Sequence, residues 1–239
     1  YLVDAVRTDF VANISHELKT PVGALAVLAE ALSQEDDLDI IHRLSEKMVD
    51  EAIRVGRTID DLLELSRIEF GGEAVKDEVD AGEIVSESIS RVSPLASTHA
   101  IKVAMIELAT PLKVVGDRRQ LVSAIGNLVE NAVKYSEVGS AVEVSARTDG
   151  DWVEFTVRDF GLGIPSRDLD RVFERFYRVD RARSRDTGGT GLGLAIVRHV
   201  ANNHGGDVSV TSIEGEGSTF SLKIPKFVSQ NPATMRESS

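Results

Sequence analysis

Apolar residues fall at Phe10, Ile14, Leu18, Pro21, Leu25, Leu28 and Leu32, always three or four positions apart. A stripe of that period is the seam of a helix packing on another helix, so one long helix is expected from about Val3 to Ser33. The polar run SQEDD at 33–37 breaks the period, and Leu38, Ile41, Leu44, Met48, Ala52, Val55, Ile59 and Leu62 restart it. Two long helices joined by so short a turn must lie antiparallel. Each offers one apolar face, and two such helices cannot enclose a core. Pairing with a second copy into a four-helix bundle is the expected solution. Gly71 and Gly72 close this unit and read as a hinge, giving a helical domain over 1–70.

From about Glu73 the pattern becomes mixed. Asp80 with Glu83 is a capping-box-like start for a helix reaching about Ser97. Short strands are expected at Ile101–Leu108 and Leu112–Val115, followed by a helix over Asp117–Tyr135 with Leu121, Ile125, Leu128 and Ala132 inward. Alternation at Val142, Val144, Ala146 and at Val153, Phe155, Val157 marks two strands. A helix at about 192–204 and a hairpin of Asp207–Ser212 with Ser218–Ile224 complete a second domain over 71–228. The polar tail at 229–239 is expected to be disordered.

Composition narrows the class. The chain has 239 residues, 42% hydrophobic and 28% charged, as in ordinary globular proteins. It has no cysteine, which excludes disulfides, thiolate zinc sites and thiol nucleophiles. No apolar run approaches a membrane span. The chain begins at Tyr1, so the expectation is the cytoplasmic portion of a membrane-anchored sensor, meeting a membrane only through a missing upstream region. A net charge of −12 argues against nucleic acid as a partner. Against that background six arginines crowd between 171 and 187 (Arg171, Arg175, Arg178, Arg181, Arg183, Arg185), facing Glu174, Asp180 and Asp186.

Four features carry chemistry. His16 lies well over a quarter turn from the first helix's seam and is therefore displayed rather than packed. Asn127 and Asn131, four apart, offer carboxamide oxygens suited to a hard cation such as Mg²⁺, with Lys134 nearby for phosphate. Asp159-Phe-Gly161-Leu-Gly163 follows a strand, placing a carboxylate beside a chain that can approach a ligand closely. Gly188-Gly189-Thr190-Gly191-Leu192-Gly193 opens a helix, the setting for phosphate binding by backbone amides. The glycine spacing excludes a Rossmann fingerprint, and no Walker sequence is present. The DFG motif lacks the lysine and HRD-type loop of protein kinases. HELKT at 16–20 fails as HExxH because position 20 is threonine.

In this order the segments NLVENAVKYS (127–136), DFGLGIP (159–165), FERFYRVD (173–180) and GGTGLGLAI (188–196) resemble the N, first glycine, F and second glycine boxes of histidine kinases. SHELKTP (15–21) is similar to their histidine box. The resemblance spans about residues 4–226, and its lid sequence looks like that of actinobacterial phosphate-regulon kinases. It implies an α+β protein: a helical hairpin forming a dimeric four-helix bundle, then a GHKL (Bergerat-type) α/β sandwich. It implies ATP and Mg²⁺ as cofactors, with Asn127 and Asn131 on the metal and Lys134 and Tyr135 near the nucleotide. Asp159 would take the adenine amino group, with Gly161 and Gly163 admitting the base. Arg178 would reach the phosphates from a lid, and Gly189, Thr190, Gly191, Leu192 and Gly193 would line their site.

The implied reaction is attack of a His16 nitrogen on the ATP γ-phosphate, with Glu17 as general base, then transfer to an aspartate of a response regulator receiver domain. Thr20, on His16's face, implies phosphatase activity toward that regulator. Pro21 should bend the helix, because the Glu17 carbonyl loses its helical partner. Rival expectations are an anti-sigma-type serine kinase or ATPase of the same fold and a non-catalytic dimeric adaptor. The helical hairpin argues against the first, and the intact boxes against the second.

Overall fold

β5 (Trp152–Asp159) places Val153, Phe155, Val157 and Asp159 on one face by the two-residue period of a strand, and all four are buried. Its neighbours supply the rest of that apolar surface: β4 (Ala141–Asp149) through Val142, Val144 and Ala146, and β7 (Gly217–Pro225) through Phe220, Leu222 and Ile224. With β2 (Lys102–Leu108) and β6 (Asp207–Ile213) they form a five-stranded sheet in the order β2-β4-β5-β7-β6. Among the described residues of this sheet only the β2–β4 pair is parallel. The opposite face is polar, and Arg147 there forks onto Glu154 through two bonds of 2.7 and 2.9 Å. β1 (Asp77–Asp80) and β3 (Lys113–Gly116) form a separate antiparallel pair.

This computed structural model describes residues 2–70, 76–108, 112–179 and 189–228, with only the backbone of 2–17 and 70. The Gly71–Gly72 hinge, the tail, Gly188, Arg181, Arg183, Arg185 and the side chains of His16 and Glu17 lie outside what it describes. Two compact units emerge: Tyr1–Arg67 with Arg175–Leu192, and Ile68–Glu174 with Gly193–Ser239.

In the first unit, α1 (Leu2–Ser33) and α2 (Leu38–Phe70) are the expected hairpin. The SQEDD run does more than end α1. Asp37 Oδ1 accepts the amides of Asp39 and Ile40 at 2.9 and 3.3 Å, capping α2. Leu18, Leu25, Leu28 and Leu32 are half-buried and Pro21 is buried, so from Leu18 onward the α1 seam is as read, and helix continues through the proline. On α2 the reading needs correction. Leu38 and Ile59 are 79% and 43% exposed, Ala52 is also exposed, and the inward row passes through Thr58, Leu62 and Leu65. Leu38 is the first residue after the cap. Beyond Val55 a 3.6-residue helix turns Thr58 inward and Ile59 out.

In the second unit α3 (Ala81–Thr98), α4 (Arg118–Tyr135) and α5 (Gly193–Asn203) cover the apolar face of the sheet. Asp80 and Asp117 cap α3 and α4 through their side chains. Only half of the expected capping box forms, since Glu83 pairs with Arg118 at 3.8 Å. α4 is buried on more than its predicted stripe, because Val122, Ala124, Val129 and Val133 join it between α3, α5 and the sheet. β1 was not foreseen: of its four residues, DEVD, only Val79 is buried, so no alternation shows.

His204, just past α5, fixes that layer. Its Nδ1–H donates to the Val200 carbonyl at 2.7 Å, and Nε2 accepts the Asp117 amide at 2.9 Å. The ring is neutral in this arrangement, and burial is the main reason its pKa falls below the usual 6.5, with Lys76 adding to the effect. Because the folded pKa is depressed, unfolded chains take up the proton first. The stability contributed is complete above about pH 6.5 and is lost as pH falls below it. The urea midpoint should therefore drop between pH 7.5 and 5.5. His204→Gln should be less stable at pH 7.5 but flatter in pH; an equal slope in both chains would refute this role.

Candidate functional site

Asp159 ends the buried row of β5, where an apolar residue would continue the pattern. It is 4% exposed. Its Oδ1 accepts the amides of Gly161 at 3.0 Å and Ser218 at 3.2 Å. Oδ2 has no hydrogen-bond partner among the described residues, which leaves an acceptor for a ligand donor. Burial raises the carboxyl pKa, while the two amides oppose that rise.

The glycines that follow serve the chain itself. A Cβ on Gly161 would lie 2.0 Å from the Tyr135 carbonyl oxygen. Gly163, at φ +65°, would put one 2.1 Å from that of Ile213. The close approach inferred for a ligand is thus made first by backbone. Leu162 N–H donates to Tyr135 O at 3.1 Å, so the first glycine box is laced to the end of α4.

On α4, Asn127 Nδ2 donates to the Ser123 carbonyl at 3.1 Å, which turns Oδ1 the other way. A Cβ on Gly193 would sit 2.6 Å from that Oδ1, so the start of α5 lies against the first asparagine of the N box. Neither Oδ1 of Asn127 nor the Asn131 carboxamide has a hydrogen-bond partner among the described residues. Two neutral oxygens left open in this way suit Mg²⁺. Lys134 is nearly buried and pairs with Glu130 at 2.5 Å, while Tyr135 is 38% exposed.

The first unit holds the remaining residues. His16 and Glu17 lie within α1, and Thr20 is exposed one turn after His16. Arg178 is half-buried. Phe176 N–H donates to the Gly191 carbonyl at 2.8 Å, and Gly191 at φ +72° leaves no room for a Cβ beside Phe176. The F box and second glycine box are therefore tied together. Thr190 Oγ1 accepts the Leu192 amide at 3.2 Å and donates to Asp61 Oδ2 at 2.5 Å. Gly189 is half-buried and Leu192 fully buried.

Ser212 and Ser218, which hold the Asp159 loop, escaped the sequence reading. A signal existed. The inward rows Val153-Phe155-Val157-Asp159 and Ser218-Phe220-Leu222-Ile224 both turn polar at the same end of the sheet.

A sheet with one face buried under three helices, with a carboxylate at the end of its central strand and open carboxamide oxygens beside a glycine-led helix, defines a nucleotide-binding sandwich joined to a helical hairpin that carries a histidine. Residues 116–227 match the family "Histidine kinase-, DNA gyrase B-, and HSP90-like ATPase", and residues 6–71 match the "His Kinase A (phospho-acceptor) domain". The chain belongs to the sensor histidine kinases of two-component systems. It is 52% identical over 94% of its length to the sensor-like histidine kinase SenX3 of Mycolicibacterium smegmatis, and spans 59% of that protein. The solved mycobacterial sensor histidine kinase MprB is 33% identical, with a TM-score of 0.55 over 64% of this chain and 98% of that one. Full-length ShkA, solved in complex with AMPPNP, is 27% identical, with a TM-score of 0.66 over 94% of this chain and 47% of that one.

Proposed function

We propose that this chain autophosphorylates on His16 from ATP and passes the phosphoryl group to an aspartate of a response regulator. The observation that carries the reading is Asp159. Its Oδ1 is occupied by two amides, and Oδ2 is left as an acceptor where the sheet's buried row ends. That acceptor takes the adenine amino group, as the AMPPNP complex of the relative ShkA supports for nucleotide binding in general. Asn127 and Asn131 hold Mg²⁺, which when bound offsets phosphate charge. Lys134, Arg178 and the segment Gly189–Gly193 meet the phosphates, and Tyr135 flanks the nucleotide. A His16 nitrogen attacks the γ-phosphorus and forms an N–P bond, the bond to the β–γ bridging oxygen breaks, and ADP leaves. Glu17 accepts the proton from the other ring nitrogen and fixes the tautomer.

Residues 1–70 are the phosphotransfer hairpin and 71–228 the ATP module. A homodimer covers Val22, Val27, Val49, Ile53 and Leu63, which are all at least half exposed on the hairpin. Thr20 positions water for dephosphorylating the regulator. A membrane-anchored sensor upstream and a phosphate-regulon role complete the reading; the likeness to mycobacterial relatives supports its lineage.

Incubation with Mg²⁺ and γ-labelled ATP should give an acid-labile, base-stable label that maps to the peptide containing His16, and that moves to a receiver domain. Acid-stable label on serine or threonine would overturn the proposal.

A further inference from the structure

We propose that Ser212 is a positioning residue for the carboxylate that reads the base, an inference resting on the nucleotide assignment of Asp159 above. Ser212 lies on edge strand β6 and pairs across the hairpin with Ser218. Its hydroxyl accepts the Ile164 amide at 2.7 Å and donates to the Gly217 carbonyl at 2.7 Å. Ser218 Oγ lies 3.0 Å away. The proton count fixes the direction of the last bond. Ser212 has a single proton, given to Gly217, so Ser218 must donate to it, and both lone pairs of Ser212 are then used.

The two amides on Asp159 Oδ1 come from different segments. Gly161 belongs to the loop after β5, and Ser218 to the start of β7. Ser212 is the hydroxyl bonded to both: to the first segment at Ile164, to the second at Gly217 and Ser218. The two segments cross the hairpin's backbone closely on either side of this hydroxyl. A Cβ on Gly163 would meet the Ile213 carbonyl at 2.1 Å, and one on Gly217, at φ +108°, would meet that of Asp159 at 2.2 Å. Without the hydroxyl, the Ile164 N–H and Gly217 C=O lose their partner and the segments can part. The Asp159 rotamer is then no longer single, and Oδ2 loses its aim at the base. Groups meeting the phosphates are untouched.

The test compares the full chain with Ser212→Ala, Ser212→Cys and Ser212→Thr. Calorimetry would measure binding of ATP and of purine riboside triphosphate, which lacks only the 6-amino group, and carboxyl NMR would follow the titration of Asp159. The parent chain should prefer ATP by at least about tenfold. Ser212→Ala should shrink that preference to within about threefold, since one charge-assisted bond is at stake, and should raise the Asp159 pKa as its amides loosen. Ser212→Thr should restore both readouts. Ser212→Cys, nearly isosteric but a weak donor and acceptor, should fall between and serves if the alanine chain does not fold. Preference and titration unchanged in Ala and Cys would overturn the role of Ser212 alone. A parent chain without preference for the amino group would overturn the assignment of Asp159 and this inference with it.

Discussion

Asp159→Asn is expected to weaken ATP binding about a hundredfold or more while melting no lower than the parent chain. The asparagine Oδ1 still accepts the amides of Gly161 and Ser218, so the local fold is kept. What changes is the second atom, where an NH₂ replaces a carboxylate oxygen and faces the donor it should accept from. A bond to a charged group contributes about 1.5–3 kcal/mol, and setting donor against donor adds desolvation, which together reach two powers of ten. The stability effect has the opposite sign. Burial raises the folded pKa of Asp159, so its stability contribution is present below the unfolded value and lost as pH rises through the folded one. At neutral pH the ionised carboxylate is a burden that asparagine removes. Calorimetry with ATP and a thermal melt on the same samples decide it. A lowered melting temperature alongside lost binding would make Asp159 a structural residue.

Gly161→Ala should be among the most damaging single methyls in the nucleotide module. Its Cβ would lie 2.0 Å from the Tyr135 oxygen, 2.7 Å from the Tyr135 carbonyl carbon and 2.9 Å from Ser136 Cα. All three are backbone atoms, so no side chain can swing away. Relief requires parting the loop after β5 from the end of α4, which breaks the Leu162–Tyr135 bond and moves the N box relative to Asp159. A loss of about 3 kcal/mol follows from such overpacking, or roughly 6–12 °C in a unit of this size. Nucleotide binding should fail with it. A variant melting within about 2 °C of the parent would show that this crossing has slack.

Much of this was legible in the chain. The hairpin showed itself through the three-and-four spacing of its seam, and the sheet through strict alternation, because both are one-sided surfaces that must bury one face. What escaped depended on partners distant in sequence. Nothing near Ile59 tells that Thr58 turns inward instead. β1 hides because three of its four residues are acidic. The glycine boxes were visible, but only the folded chain shows that Gly161 and Gly163 make room for carbonyls of α4 and β6. Ser212 looked like any hydroxyl on an edge strand. Its importance lies in bonds to Ile164, 48 residues away, and to Gly217 at the start of the next strand.

The bond from Ser218 to Asp159 spans 59 residues of chain. Bringing ends that far apart together costs conformational entropy before any contact is gained, whereas the β4–β5 and β6–β7 hairpins close over short turns. Each hairpin closes through local contacts; the carboxylate's cradle exists only once they have zipped together along β5 and β7. Base recognition is thus a report that the long-range step of folding is complete, and a nucleotide held there acts as a rivet across the last seam to close.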